Sequence, residues 1–243
     1  MKWYKLLFCS LFLFPFITKA SEKRVINGVS YHIIEVDTNV VKIVWKDNKG
    51  RQLRTFSDAG YYLTAQGFTV KTVMNGGIFE PGGIPSGLLI QNGQTLRPLN
   101  TNKGKGNFFL KPNGIFYISP AGAFVVPTET YLLKKANAEQ AIQSGPLLLF
   151  NGKIHSKFNK GSQSRLHRNG VGVLENGKVV FVMTDFDSKK FPNLYEFAQM
   201  FRYLGCNNAL FLDGDLSQMK SGKDIYKPNN ALGSMIAIIE DKK

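Results

Sequence analysis

The sequence predicts an α+β fold in which a largely antiparallel or mixed β-sheet system with many hairpins is covered by a few helices. Asn-Gly pairs recur between apolar or alternating segments, and two segments carry the apolar spacing of an amphipathic helix. Further segments are apolar without interruption, which is typical of strands buried on both faces. These three observations together give the fold class.

Five of the Asn-Gly pairs are predicted to form hairpin turns, because both central residues of a type I′ turn take a positive φ. The clearest hairpin joins residues 171–175 to residues 178–184, which carry β-branched side chains on both sides of the turn. Repeated hairpins favour antiparallel pairing. The five predicted turns lie at Asn27-Gly28, Asn92-Gly93, Asn113-Gly114, Asn151-Gly152 and Asn176-Gly177.

Two helices are predicted. The first covers residues 194–204, where apolar side chains recur along one face. Asn193 can cap its first turn together with Glu196, and Gly205 can end it in the left-handed conformation. The second covers residues 57–67 and carries a shorter apolar stripe.

Continuous apolar segments at 209–212 and 234–239 predict strands buried on both faces, and residues 70–74 predict another strand. No linker rich in Pro, Ser or charge divides the chain after residue 20, and no internal repeat is visible. A single domain over residues 21–243 is therefore expected.

The N-terminus has the pattern of a secretory signal peptide. Lys2 and Lys5 precede a twelve-residue apolar run, and the small residue Ala20 precedes Ser21. A membrane-spanning helix needs about twenty apolar residues. We therefore expect residues 1–20 to be removed and the protein to be exported, periplasmic or extracellular, without stable membrane insertion after cleavage. An uncleaved anchor is the alternative.

The formal net charge of +14 favours anionic partners. The cationic residues are scattered, so a solvated basic surface also explains most of them. No nucleic-acid-binding module accompanies the charge, and nucleic acid is not an expected partner. Cys206 would be the single cysteine of the mature chain, and we interpret it as a packed thiol before a nucleophile.

Three segments carry residues suited to chemistry, and the first is a glycine-rich loop. The strand over residues 70–74 runs into Asn75-Gly76-Gly77, and more Gly and Pro follow through Gly87. Glycines let a ligand approach backbone amides closely. A tight structural loop is the alternative.

The second segment is a basic stretch that opens a predicted strand. It contains Arg165, His167 and Arg168, followed by Asn169-Gly170. A guanidinium group can give two charge-assisted hydrogen bonds to one phosphate face. A solvated basic turn is the alternative.

The third segment is an apolar strand that delivers Asp213 and Asp215 around Gly214, with Ser217 beyond them. Two neighbouring carboxylates can divide acid and base roles, or can hold a divalent cation together with Asp185 or Asp187. An Asx turn that leaves the sheet is the structural alternative.

Together these segments resemble the phosphodiester glycosidase family. Its marks are an Asn-Gly-Gly-aromatic loop, a Gly-Pro segment, an Arg-containing stretch opening a Gly strand, and a terminal Leu-Asp-Gly motif. The four counterparts occur here in that order over roughly residues 70–221, as MNGGIF at 74–79, QSGPLL at 143–148, RNGVGV at 168–173 and FLDGDLS at 211–217. One departure is Asp215, which stands where many members have a second glycine.

The resemblance implies hydrolysis of the bond between an anomeric sugar carbon and a phosphodiester oxygen, which releases the sugar and a phosphomonoester. Asp213 would serve the sugar side as base or nucleophile, Arg168 with the amides of Gly76 and Gly77 would stabilise the leaving group, and Asn75 would hold a sugar hydroxyl or a phosphate oxygen. No cofactor and no metal are expected. The remaining expected substrate contacts are Ser144, Gly145, His167, Asn169, Gly214, Asp215 and Ser217.

Two alternatives come from other classes of protein. A non-catalytic binder of anionic envelope glycans would keep the cleft and the positive charge without turnover. A metal-dependent phosphodiesterase would use Asp213, Asp215 and Asp185, although the small number of His residues counts against it. The enzymatic interpretation requires the loops at Asn75, Arg168 and Asp213 to meet in space.

Overall fold

A computed structural model of the chain describes residues 21–134, 136–222, 224–225 and 231–241. The predicted signal peptide, residues 1–20, lies outside the described residues. Within the described part of the chain, no helix is long and apolar enough to cross a membrane.

Nineteen strands and three α-helices make up the regular structure of the described residues. The helices are α1 Phe56–Ala65, α2 Thr128–Lys134 and α3 Leu194–Tyr203. The strands are β1 Glu22–Ile26, β2 Val29–Val36, β3 Val41–Val44, β4 Phe68–Asn75, β5 Phe79–Glu80, β6 Ile84–Pro85, β7 Leu89–Gln91, β8 Gln94–Arg97, β9 Gly114–Ser119, β10 Gly122–Pro127, β11 Gln140–Ser144, β12 Leu147–Phe150, β13 Lys153–Ile154, β14 Asn169–Leu174, β15 Val179–Thr184, β16 Cys206–Asp213, β17 Met219–Ser221, β18 Asp224–Ile225 and β19 Met235–Asp241.

The strands form three large antiparallel sheets, which confirms the α+β class. The first sheet has the order β1-β2-β15-β14-β16-β12-β13, the second β10-β9-β11-β7-β8, and the third β18-β17-β4-β19-β3. A small hairpin of β5 and β6 lies apart from them. The predicted strands 209–212 and 234–239 are parts of β16 and β19, and 70–74 is part of β4.

The three sheets face one shared hydrophobic core. Phe181 of the first sheet, Phe116 of the second and Ile236 of the third all belong to it. The rings of Phe116 and Phe181 meet edge to face with centroids 6.0 Å apart, a favourable arrangement for aromatic pairs. The ends of strands from different sheets are therefore held at fixed positions relative to one another.

Each sheet is covered on its outer face by one helix. Helix α3 packs Phe197 and Phe201 on the first sheet, Tyr131 of α2 packs on the second, and Leu63 of α1 packs on the third. Both predicted helices, α3 and α1, are confirmed, with small shifts at their ends. Helix α2 is not predicted, since its seven residues are too few to show a clear apolar period.

The helix caps follow the local sequence closely. Asn193 and Glu196 form the expected capping box of α3, and Gly205 takes φ 88° after it. The capping box of α1 uses Thr55 and Asp58, so this helix begins one residue before the predicted start at Ser57.

Four of the five predicted hairpins are present. Asn27-Gly28, Asn92-Gly93 and Asn151-Gly152 have positive φ at both residues and join directly paired strands. Asn176-Gly177 also connects a hairpin, β14 to β15, but only its glycine has a positive φ. The turn predicted at Asn113-Gly114 is wrong, because the buried Asn113 side chain bonds Phe108 and Thr128, and Gly114 begins β9.

Glycines on β14 let α3 approach the first sheet. A Cβ atom on Gly172 would lie 2.6 Å from Cys206 Sγ and 2.8 Å from Phe201 Cδ1. Cys206 is buried at this contact, as the sequence indicated, and its burial raises the pKa of the thiol to about 12. A larger residue at position 172 would push the helix away from the sheet.

We expect Gly172→Ala to lower the free energy of unfolding by about 1–3 kcal/mol, because the added methyl overpacks the contact between helix and sheet. Urea unfolding of the variant and the parent measures this change in the free energy of unfolding. Gly60→Ala is the matched control: Gly60 lies inside α1 with nothing near its Cβ position, so this change should stabilise by about 0.5–1 kcal/mol. Equal effects of the two changes would contradict the packing argument.

Candidate active site

Strand ends from all three large sheets meet at one point. Asn75 ends β4 of the third sheet, Ser144 ends β11 of the second, and Asp213 ends β16 of the first. The Ser144 hydroxyl donates to the carbonyl of Leu212 at 2.8 Å, and Asn75 Nδ2 donates to Asp213 Oδ2 at 3.0 Å. Polar side chains far apart in sequence are thus brought into direct contact.

Asn75 is the centre of this cluster, and both the oxygen and the nitrogen of its side chain are bonded. Its Oδ1 accepts hydrogen bonds from the amide of Gln218 at 2.9 Å and from Asn169 Nδ2 at 3.0 Å. Asn169 Nδ2 also donates to the Asn75 carbonyl. Because Asn75 is buried and bonded at both ends of its amide, it acts here as a fixed support for the groups around it.

The carboxylate of Asp213 is oriented from both sides. Oδ2 accepts the bond from Asn75, and Oδ1 accepts from the amide of Gly214 at 2.7 Å. The residue is largely buried, with 9% of its surface exposed, so the carboxylate is held with little contact with water. A carboxylate held in one orientation is suited to act on a bound sugar.

Three residues that contact Asn75 or Gly76 each have a buried side-chain oxygen atom with no hydrogen-bond partner among the described residues. These atoms are Asn169 Oδ1, Gln218 Oε1 and Ser234 Oγ. Buried acceptors without a donor are uncommon and cost free energy. Asn169 is fixed through its own Nδ2, so its Oδ1 is kept close to Asn75. Hydroxyl groups of a ligand can supply donors to such atoms.

Gln218 was not found from the sequence. Its backbone amide and carbonyl both bond Asn75, and its side chain is buried. It lies one residue before β17 in a segment with no distinctive pattern, so its role depends on the pairing of β17 with β4. No signal in the linear sequence would have indicated it.

The glycines after Asn75 serve the packing of the protein itself. The Gly76 amide donates to the Ser234 carbonyl at 2.8 Å, and a Cβ on Gly76 would lie 2.6 Å from Ser234 Oγ. The expectation of an amide open to ligand is therefore wrong for Gly76. A Cβ on Gly77 would lie 3.1 Å from Ser144 Cβ, and the contact of Gly77 with substrate stays a prediction.

Arg168 is buried against the first sheet, and only 2% of its surface is exposed. Nε donates to the Pro192 carbonyl at 3.0 Å and Nη2 to the Ser164 carbonyl at 2.9 Å, above the ring of Phe211. The two guanidinium N–H groups that were expected to bind a phosphate therefore donate to protein carbonyls instead. Burial lowers the pKa of Arg168 to about 10, while Asp215 acts in the opposite direction, so the group stays charged at neutral pH.

The other guanidinium of the basic stretch is also used within the protein. Arg165 makes a two-bond pair with Glu196 of α3, with distances of 2.5 and 2.9 Å. This pair raises the pKa of Arg165 and lowers that of Glu196. It ties the stretch before β14 to the first turn of α3.

The remaining predicted contacts lie around the same strand ends. The Ser217 hydroxyl donates to the Gly214 carbonyl at 2.5 Å and closes the loop after β16. Asp215 is exposed on that loop. A Cβ on Gly145 would lie 2.6 Å from Asn113 Cβ, so this glycine is required for close packing. The ring of His167 stacks on Phe186.

The three carboxylates of the metal-dependent alternative are engaged separately. Asp185 Oδ1 lies 3.1 Å from His32 Nε2, and its Oδ2 forms an ion pair with Lys23. Among the described residues, no group of three or more His, Cys, Asp or Glu side chains is arranged to hold a metal ion. Asp185 thus ties β1 and β2 to the end of β15.

Comparison with known proteins identifies the family. A sequence model of the phosphodiester glycosidase family matches residues 68–238. The chain belongs to the phosphodiester glycosidase family. It is 32% identical over 220 residues to an uncharacterized protein of Escherichia coli K12, YigE. The match covers 88% of this chain and 84% of that protein.

Two solved structures have the same phosphodiester glycosidase-like fold. The catalytic domain of zebrafish N-acetylglucosamine-1-phosphodiester alpha-N-acetylglucosaminidase, auto-inhibited by its pro-peptide, gives a TM-score of 0.63 at 19% identity over 90% of this chain and 81% of that one. A hypothetical protein from Synechocystis gives 0.55 at 14% identity over 90% and 61%. At these identities the likeness shows the fold.

We expect Asn75→Asp to destabilise the protein by about 3 kcal/mol near neutral pH, because it places a second carboxylate beside that of Asp213. One of the two folded-state pKa values would rise above its unfolded value, so the penalty is small below about pH 4 and grows as the pH increases. Urea unfolding of variant and parent across pH measures the difference.

The matched control is Asn176→Asp. Asn176 lies in the exposed turn before β15, where its Oδ1 accepts from the Lys178 amide. This change keeps that acceptor, and the new carboxylate and that of the neighbouring Glu175 are both exposed, so water screens their repulsion. A penalty for Asn75→Asp that stayed constant from low to neutral pH would contradict the proposed contact of the two carboxylates.

Proposed function

We propose that this protein hydrolyses a sugar 1-phosphodiester at the bond between the anomeric carbon and the phosphodiester oxygen, releasing the sugar and a phosphomonoester. Membership of the phosphodiester glycosidase family supports the reaction class. The observation that carries the proposal for this chain is the strand-end carboxylate of Asp213, oriented by Asn75 and Gly214 where the ends of strands from three sheets meet.

The sugar binds at the acceptor-rich side of the site. Asn169 Oδ1 is a buried acceptor without a donor beside Asn75, and sugar hydroxyl groups are donors. Held in this way, the anomeric carbon faces Asp213. The carboxylate then acts either as a base on water or as a nucleophile that stabilises the oxocarbenium-like transition state.

The departing group is a phosphomonoester, which needs charge stabilisation more than a strong general acid. Arg168 supplies a fixed positive charge, since it is protonated at neutral pH and buried beside Phe211. Its effect on the phosphate is electrostatic, because Nε and Nη2 are bonded to carbonyls. A fixed charge in a poorly solvated position acts without reorganisation during the reaction.

The substrate is accordingly a sugar phosphate or phosphoglycan met outside the cytoplasm. The signal-peptide pattern of residues 1–20 supports export, to the periplasm or the extracellular space. The working unit is one domain over residues 21–243. The proposed reaction needs neither a cofactor nor a metal ion.

We expect Asp213→Asn to lower kcat by about 10²–10⁴-fold on a sugar 1-phosphodiester, because the amide cannot act as base or nucleophile. The amide has a similar shape but can accept only one of the two bonds made to Asp213, so some stability should be lost, and thermal unfolding checks that the variant folds. Asp187→Asn is the control, since Asp187 is exposed on the loop after β15. Unchanged turnover in Asp213→Asn would remove the site assignment.

Hydrolysis in water labelled with oxygen-18 identifies the bond that breaks. Cleavage at the anomeric carbon leaves the released phosphomonoester free of the label, because its oxygens come from the substrate. A phosphodiesterase would place the label on phosphorus, and its activity would be lost with a chelator if it used a metal. Labelled phosphate, or no turnover at all, would contradict the proposed reaction.

A further inference from the structure

Three loops that border Asp213 carry exposed apolar side chains. Leu166 precedes β14, Phe186 follows β15 and Leu216 follows β16; they are 39%, 42% and 39% exposed. With His167 they make up what we call the apolar rim. Single exposed apolar residues need no explanation, but several on neighbouring loops at one strand end often mark a binding surface.

The largest member of the apolar rim is held in place. The ring of Phe186 stacks on His167 with centroids 5.1 Å apart and planes 23° apart. The ring of His167 in turn contacts that of Phe191, with centroids 4.6 Å apart. A ring supported from behind loses little conformational freedom when a ligand contacts its exposed part, which favours binding.

The apolar rim lies next to the candidate active site. Asn169 pairs directly with Asp213 in the first sheet, and His167 is two residues before it. The carbonyl of His167 lies 3.7 Å from the position of a Cβ on Gly214. Leu216 follows on the same loop as Gly214. The loops of the rim therefore lie at the end of the first sheet where Asp213 lies, while the polar acceptors around Asn75 are buried.

We propose that the apolar rim binds an apolar or aromatic aglycone, the group on the far side of the phosphate from the sugar. This inference rests on the proposed function. The buried centre offers oxygen acceptors, which suit sugar hydroxyls, whereas Leu166, Phe186 and Leu216 offer exposed carbon surface. A phosphodiester joins the two parts of the substrate, so its sugar lies at Asp213 and its aglycone reaches outward over Phe186.

Two phosphodiester substrates with the same sugar test the proposal. The aglycone is a methyl group in one and a benzyl group in the other. The quantity measured is the ratio of kcat/KM for the benzyl over the methyl substrate. The parent protein should prefer the benzyl substrate by about tenfold, the order expected for burying one aromatic ring partly. In Phe186→Ala the ratio should fall to about one- to threefold, because most of that contact is removed.

Phe150→Ala is the matched control. Phe150 is also an exposed phenylalanine, but it ends β12 beside Asn208 at the opposite end of the first sheet from Asp213. The benzyl preference should be the same in this variant as in the parent. Thermal unfolding of both variants checks that they fold.

Binding of benzyl phosphate and methyl phosphate, measured by calorimetry, gives a second readout that does not depend on turnover. Benzyl phosphate should bind about tenfold more weakly to Phe186→Ala than to Phe150→Ala. If both substrates are turned over and Phe186→Ala keeps the benzyl preference, the proposed binding of the aglycone by the apolar rim is overturned. The proposed function is then unaffected. Absence of turnover would overturn the function, and the benzyl phosphate comparison would then decide the rim by itself.

Discussion

The hydrogen bond from Asn75 to Asp213 is the contact on which the rest of the site depends. It joins the end of β4 to the end of β16, two residues that are 138 positions apart in the chain. The same side chain receives bonds from Asn169 and Gln218. A single buried amide thus fixes the relative position of two sheets and the direction of the carboxylate. A different group at this position would leave several buried partners without their bonds.

The glycines around this amide follow from the same constraint. Gly76 lies so close to Ser234 that no side chain fits, and Gly77 lies against Ser144. The Asn-Gly-Gly sequence is therefore a requirement of three sheets meeting at one point. These close contacts leave buried oxygen atoms of Asn169, Gln218 and Ser234 without a hydrogen-bond partner among the described residues.

Charge is distributed differently from what the overall composition suggests. The net charge of +14 comes mainly from scattered surface residues, while the site contains a buried guanidinium, the Asp213 carboxylate and neutral amides. Arg165 is paired with Glu196, and Arg168 is held by two carbonyls. A buried cation with fixed partners provides a steady field but little room for direct contact with an anion.

Local sequence determined the hairpins at Asn27-Gly28, Asn92-Gly93 and Asn151-Gly152 and the caps of α3, because these depend on the φ preferences and hydrogen bonds of neighbouring residues. The order of four motifs along the chain predicted the family, which the match of the family model over residues 68–238 confirms. The Asn113-Gly114 turn failed because the Asn113 side chain has partners in a distant part of the fold.

Only the tertiary structure decided which of the predicted residues lie together around Asp213 and which are bonded elsewhere in the protein. Arg168 and Asn169 are adjacent in sequence, yet the Arg168 guanidinium lies over the ring of Phe211 and the Asn169 side chain bonds Asn75, because successive side chains of an extended segment point to opposite faces. Gln218 and Phe186 gained their positions through strand pairing and ring stacking. A linear chain records the chemistry of each side chain, but the face on which it lies is set by sheet register and by contacts between sheets.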